Sequence, residues 1–318
     1  MSTLSRRRLL SIAACAALAA SSRNDPLPRL TWQGVAFGAD VSITLDGPED
    51  ITRPALARAR HEIAAYERRF SLFRPESDLT RLNAQGFLPD LDTRWRDVLT
   101  LCDQLHHATN GIFDPTIQPL WRAHALGGDI DAARGLVGWG RVARPDPMRR
   151  GLYLDAGQAL SFNGIAQGAA TDAVRASLQA SGLSLVMIDI GETATLGGPW
   201  RVRLSDPAAG RFATVTLKDM ALAVSSPAAL RLDAKTYHIL HPKGDLRPRW
   251  SSVAVAARSA AVADGLSTAG CFMPVAELKR CAGRLPQVQQ VLVTDGQRTQ
   301  RVFQARTRPV SQVHQQNE

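Results

Sequence analysis

Asp264 and Thr268 stand four residues apart in Ala261-Val262-Ala263-Asp264-Gly265-Leu266-Ser267-Thr268. On a helix that spacing puts a carboxylate and a hydroxyl on one face, one turn apart. Both are hard oxygen donors of the kind that suits Mg²⁺. The same pattern also arises when a helix dipole favours an acidic residue near its start and the threonine is simply packed. Asn163-Gly164-Ile165-Ala166-Gln167-Gly168 precedes a predicted helix. Small residues there let main-chain groups approach a ligand, and a helix N-terminus favours phosphate. An ordinary glycine-rich turn has the same composition. In Tyr237-His238-Ile239-Leu240-His241-Pro242, a histidine could take a proton near neutral pH, or both could be polar residues at a strand end. Two further segments, Phe70 to Asn83 and Asn110 to Trp121, mix aromatic, turn and hydroxyl residues. An aromatic there could stack on a flat ring, or serve a capped loop as core.

Other devices are missing. The sequence has no GxGxxG after a strand, no P-loop, no GxSxG elbow and no HExxH motif. The net charge is +9, from 38 basic and 29 acidic residues. Arginine is scattered rather than clustered, which favours a soluble basic protein over a nucleic-acid binder. Of the four cysteines, Cys102, Cys271 and Cys281 form no CxxC or Cys/His metal spacing. They read as buried apolar residues, with a Cys271–Cys281 disulfide left open.

The N-terminus reads as a twin-arginine signal over residues 1–20. Arg6-Arg7-Arg8 precedes an apolar run, and Ala17-Leu18-Ala19 offers small residues for cleavage. This predicts a periplasmic protein. Cys15, in Ile12-Ala13-Ala14-Cys15, offers lipid anchoring as the minority alternative.

The elements that must position these residues follow from periodicity. Residues 21–30 read as a linker and 31–308 as one domain, with 309–318 as a disordered tail. A strand is predicted over 31–45, with Gly34 and Gly38 inside it. A helix is predicted over 54–70, with Pro54 in its first turn. Another spans about 95–107, with Thr93 as N-cap and Asn110-Gly111 at its end. Helices follow over 129–137, 169–180 and about 261–273. Strands are predicted over 183–190, 200–204, 213–217 and 252–257. A hairpin over 290–303 turns at Asp295-Gly296. The mixture indicates an α+β protein.

Taken together, in this order and at these separations, the five segments resemble the ApbE family, the FAD:protein FMN transferases, from about Gly34 to about Asp295. Phe162-Asn163-Gly164-Ile165-Ala166-Gln167-Gly168, the stretch from Phe113 to Trp121, and Ile190-Gly191-Glu192 look most like the NosX branch. That branch is associated with maturing the flavoprotein NosR for nitrous-oxide respiration. The resemblance implies an ApbE-like, T-fold-related architecture of mixed sheets with packed helices. It implies FAD as substrate, Mg²⁺ as cofactor and an acceptor flavoprotein with a target Thr or Ser. The membrane would enter only through that partner or a lipid anchor. Carried over by position, Asp264, Thr268 and the Gly164 carbonyl are metal ligands, and His238 is the base. Phe37, Phe73, Ile112, Phe113, Asp114, Ser161, Gln167 and Ile239 contact the flavin nucleotide. His238 would deprotonate the acceptor hydroxyl, whose oxygen attacks the FMN phosphorus as AMP leaves.

The sequence also departs from the family pattern. Phe37 stands for a methionine, Gln167 for a lysine and Ser161 for an aspartate. His241 replaces the aspartate of His-x-x-Asp-Pro, and Ser225-Ser226-Pro227 replaces Thr-Ser-Gly. These departures keep two alternatives open: a non-catalytic periplasmic FAD carrier, and an FAD pyrophosphatase.

Overall fold

The computed structural model describes residues 27–144 and 151–305. The signal read at 1–20, Cys15 within it and the tail at 309–318 lie outside these residues. In chain order the elements begin with strands β1 (Arg29–Ala36) and β2 (Ala39–Asp46) and helices α1 (Glu49–Phe70) and α2 (Asp78–Gln85). Then come β3 (Phe87–Leu88), α3 (Thr93–Ala108), α4 (Gln118–Leu126), α5 (Ile130–Gly135), β4 (Leu152–Tyr153) and α6 (Ala166–Ala180). The second half holds β5 (Val186–Asp189), β6 (Thr193–Leu196), β7 (Trp200–Asp206), β8 (Gly210–Leu217), β9 (Ala221–Ser225) and β10 (Ser252–Ala257). It ends with α7 (Ala260–Gly270), α8 (Val275–Arg284), β11 (Val288–Thr294) and β12 (Thr299–Gln304).

The class is α+β. One eight-stranded sheet runs β1-β2-β5-β6-β9-β10-β11-β12, and every ladder in it is antiparallel. The single strand expected over 31–45 is instead the β1–β2 hairpin, with Ala36 opposite Ala39. Phe37 (φ 51°) and Gly38 (φ 79°) form its two-residue turn. A tight hairpin wants positive φ at both central positions, so Gly38 marks a reversal rather than a glycine within a strand. β1 starts at Arg29, inside the segment read as linker, and Arg29 pairs with Asp46 at 2.7 Å.

The central strands are buried on both faces. In β10, Val253, Val255 and Ala257 join the main core, while Ala254 and Ala256 pack with Trp200, Val202 and Leu217 of the β7–β8 ribbon. Two covered faces explain why 253–257 is continuously apolar rather than alternating. Asp206, at the ribbon's turn, accepts hydrogen bonds from Ser251 and from Ser252, the first residue of β10.

On the other face, α7 packs against β9, β10 and α6. Every α7 residue except Thr268 is buried, as its small, apolar composition predicts. Ser259 caps it by accepting from the Val262 amide at 3.2 Å. Asp172 of α6 also accepts from the Ala260 amide at 2.9 Å. A Cβ on Gly168 would lie 2.6 Å from Ala260 O, so α6 and α7 meet backbone to backbone there. Other boundaries shift from expectation. α1 begins at Glu49 and carries Pro54 inside it, because the Pro48 carbonyl takes the Thr52 amide and opens the helix earlier. The α3 N-cap is Asp92, not Thr93; its carboxylate accepts the Trp95 amide at 3.1 Å. α7 ends at Gly270, short of Met273.

Candidate functional site

One cavity of about 880 Å³ opens between strands β1, β2, β5 and β9, the turn that enters α6, the middle and C-terminal half of α7 and the 226–242 loop. It lies at the upper end of the range of about 300–1,000 Å³ typical of ligand pockets. Asp264, Thr268, Gly164, His238 and Ile239 all line it, as do Ile112, Phe113, Asp114 and Ser161. Residues 100 positions apart in sequence thus share one wall.

α7 fixes the first pair. It holds Asp264 in the core, 4% exposed, and leaves Thr268 as its one position that is not buried. Among the described residues, Asp264 Oδ2 has no hydrogen-bond partner. Burial pushes this carboxyl up to about 8, against a bond from the Gly168 amide. A Cβ on Gly164 would sit 3.1 Å from Thr268 Oγ1, so the Gly164 main chain lies beside that hydroxyl. Ser225 Oγ lies 2.7 Å from Ser267 Oγ and 3.4 Å from Thr268 Oγ1, which fixes the hydroxyl face of α7.

The reading from sequence missed Glu192. It sits in the turn between β5 and β6, lines the same cavity and is 9% exposed, and its Oε2 has no partner among the described residues. Burial, then the charges of Asp264 and Asp189, push it well above the ordinary carboxylate range. The available signal was a second acidic residue, three after Asp189, in the largely apolar run from Val186 to Leu196. Among the described residues no three His, Cys, Asp or Glu side chains form a metal cluster. A hard divalent cation nevertheless suits the oxygens present: an orphaned buried carboxylate, a hydroxyl and an adjacent main chain.

His238 supplies different chemistry. Its Nδ1 lies 3.1 Å from Leu230 O and 3.2 Å from Pro227 O. Carbonyls only accept, so Nδ1 carries the proton and Nε2 keeps its lone pair. Burial lowers the ring's proton affinity, although the same two carbonyls oppose this. His238 is therefore a neutral base at pH 7. His241 does not join it in the cavity wall: its ring is buried edge-on against Phe272, and its Nδ1 accepts the Lys243 amide at 3.2 Å. Two histidines three apart here face separate tasks.

Asp114 lines the cavity, but its oxygens are engaged by the Thr116 amide and hydroxyl and by the Trp139 amide. It shapes the turn that presents Ile112 and Phe113. Phe37, Phe73 and Gln167 lie outside the wall. The hairpin turn sends Phe37 into the core, where its amide donates to Glu67 at 2.9 Å. The Phe73 ring, 53% exposed, covers Gly38. The Gln167 amide lies against Gly191, where a Cβ would come within 2.5 Å of Nε2.

The profile of the ApbE family matches residues 37–292, most of the chain and all of this cavity apart from Gln33 and Gly34. The chain belongs to the ApbE family. Solved ApbE structures share its fold. The flavin transferase ApbE from Vibrio cholerae has 22% identity and a TM-score of 0.70, over 87% of this chain and 97% of that one. The apo flavinyl transferase ApbE of Pseudomonas stutzeri has 24% identity and a TM-score of 0.74, over 88% and 96%. The ApbE protein of Thermotoga maritima has 21% identity and a TM-score of 0.75, over 86% and 97%. No curated protein matches this ApbE chain in sequence.

Proposed function

We propose that this ApbE-family protein is an FAD:protein FMN transferase, moving FMN from FAD to a Thr or Ser hydroxyl of an acceptor protein. The observation that carries this is the meeting, in one cavity, of a neutral histidine with its Nε2 unprotonated and a buried carboxylate with an orphaned oxygen beside a hydroxyl. Those are the parts needed to activate an alcohol and to hold a cation against a pyrophosphate. Asp264, Thr268 and the Gly164 carbonyl would hold Mg²⁺, which when bound neutralises the pyrophosphate and polarises the phosphorus under attack.

His238 Nε2 takes the proton of the acceptor hydroxyl. The hydroxyl oxygen forms a bond to the FMN phosphorus, the bridging P–O bond breaks, and AMP leaves with the bond's electron pair. The Leu230 and Pro227 carbonyls hold the imidazole in the tautomer this needs and stabilise the cation it becomes. Ile112, Phe113 and Ile239 offer apolar walls beside these groups, suited to the flat isoalloxazine.

The finer assignments rest on the sequence. The motifs shared with the NosX branch favour a NosR-like acceptor in nitrous-oxide respiration. The arginine pair ahead of an apolar run favours twin-arginine export to the periplasm, where such an acceptor domain would face. Incubating the purified protein with FAD, Mg²⁺ and a NosR-like domain tests the activity. The expected product is a peptide carrying FMN on Thr or Ser by mass spectrometry, with AMP released in equal amount. AMP release that ignores the acceptor would identify a pyrophosphatase, and intact FAD would identify a carrier.

A further inference from the structure

The cavity wall carries six carboxylates, from Asp40, Asp114, Asp189, Glu192, Asp206 and Asp264. Among the described residues, no Lys or Arg lines it. Two of the six are fully used elsewhere. Asp114 accepts from Thr116 and Trp139, and Asp206 accepts from Ser251, Ser252 and the amides of Ala208 and Ala209. Glu192 and Asp264 differ from these. Each is more than nine-tenths buried, and each has one oxygen without a donor. A buried carboxylate oxygen left without a partner is costly, and two acidic groups so close make it worse. Among the described residues, no Lys or Arg of the cavity wall is in place to offset them. Both line the cavity that the Thr268 hydroxyl and the Gly164 main chain also line.

We propose that Glu192 is a second cation-holding carboxylate, paired with Asp264, and that a divalent cation enters this site before the dinucleotide. The proposal rests on the FMN-transfer reading for the identity of the nucleotide. Its logic is electrostatic. A pyrophosphate meeting this wall without a cation finds acidic side chains and, among the described residues, no Lys or Arg. With the cation seated, the same wall presents a positive centre between two carboxylates. The protein supplies the oxygens for the cation by itself, so cation binding does not await the nucleotide. Nucleotide binding, by contrast, depends on the cation. Linkage makes the enhancement mutual: each ligand tightens the other by the same factor.

The test uses nucleotide-free protein and Mn²⁺ as the probe, with free Mn²⁺ followed by electron paramagnetic resonance. The wild-type protein is expected to bind Mn²⁺ with no nucleotide present. E192Q should weaken that binding by about tenfold or more, and E192D by less. In EDTA, E192Q should melt at or above the wild-type temperature, because it replaces a buried acidic group that sits unpartnered beside other carboxyls; this separates a lost ligand from a damaged fold. FAD binding to the wild type, read from flavin fluorescence, should weaken by about tenfold or more when Mg²⁺ is replaced by EDTA. Wild-type Mn²⁺ affinity in E192Q, or equal FAD affinity in EDTA and Mg²⁺, would overturn the proposal. FMN transfer, scored separately by mass spectrometry, keeps the two ideas apart. Transfer with Glu192-independent Mn²⁺ binding removes this inference and leaves the transferase. Glu192-dependent Mn²⁺ binding without transfer to any acceptor removes the transferase and leaves the cation site.

Discussion

Asp172 of α6 accepts a 2.7 Å hydrogen bond from Ser259 Oγ, the N-cap hydroxyl of α7. The same carboxylate takes the Ala260 amide at 2.9 Å and the Ala261 amide at 3.1 Å. One α6 side chain thus fixes the start of the helix that carries Asp264 and Thr268, at the point where a carboxylate is favoured by the dipole. Asp172→Ala should destabilise the fold by about 1–2 kcal/mol in urea denaturation, the range for a lost helix cap. It should also weaken divalent-cation binding, although Asp172 does not line the cavity. Unchanged stability would show that Ser259 caps α7 unaided.

Gly164→Val tests the junction with Thr268. Its Cβ would lie 3.1 Å from Thr268 Oγ1 and 3.6 Å from the Phe113 ring, and the two added methyls need further room. Mn²⁺ affinity should fall more in Gly164→Val than in Gly164→Ala, with a melting temperature near that of the wild type in the alanine variant. Equal affinities in both would remove Gly164 from the site.

His238→Gln keeps a polar side chain and removes the base. FMN transfer should fall by about 10²- to 10⁴-fold with little change in FAD binding. Burial lowers the proton affinity of His238, so the acid limb of kcat/KM should lie below the ordinary histidine value of about 6.5. The stability sign follows from the same shift. Between the folded and unfolded values the unfolded chain binds more protons, so stability rises with pH there and is lost as pH falls from about 6.5. His238→Gln should flatten that part of the stability–pH curve.

Asp206 ties the β7–β8 ribbon to β10 through Ser251 and Ser252. Asp206→Ala should cost about 2–3 kcal/mol in denaturation, because the charge-assisted bonds from Ser251 and Ser252 and those from the Ala208 and Ala209 amides are lost. Hydrogen exchange should speed up first in β7 and β8. Protection confined to its wild-type pattern would show that the apolar contacts of Trp200, Val202 and Leu217 hold the ribbon unaided.

Much of the fold was legible in the chain. The runs at 200–204 and 213–217 do pair as strands, and Asp295-Gly296 does turn the last hairpin. Val186, Ile188 and Ile190 are all buried, as their alternation predicts. The failures have physical causes. Periodicity cannot see a reversal inside an apolar stretch, so β1 and β2 merged until the positive φ of Phe37 and Gly38 separated them. β6 and β9 are short and buried on both faces, so neither alternates, and the reading passed over them. α2 was hidden within a segment read for its aromatic residues, although Ser77 caps it by accepting the Thr80 amide.

What the sequence alone determined about the site is what can be decided within one or two turns of chain. The four-residue step from Asp264 to Thr268 needs only a helix to put both on one face. His238, likewise, is recognisable as a proton acceptor from its side chain alone. Tertiary structure decided the rest, because burial and convergence belong to packing. The β5–β6 turn carries Glu192 to Asp264 across 72 residues of sequence, and the shared low-dielectric wall leaves both with an unanswered oxygen. The Leu230 and Pro227 carbonyls select the tautomer of His238. The His241 ring, three residues from His238, instead packs edge-on against Phe272 and lies outside the cavity wall.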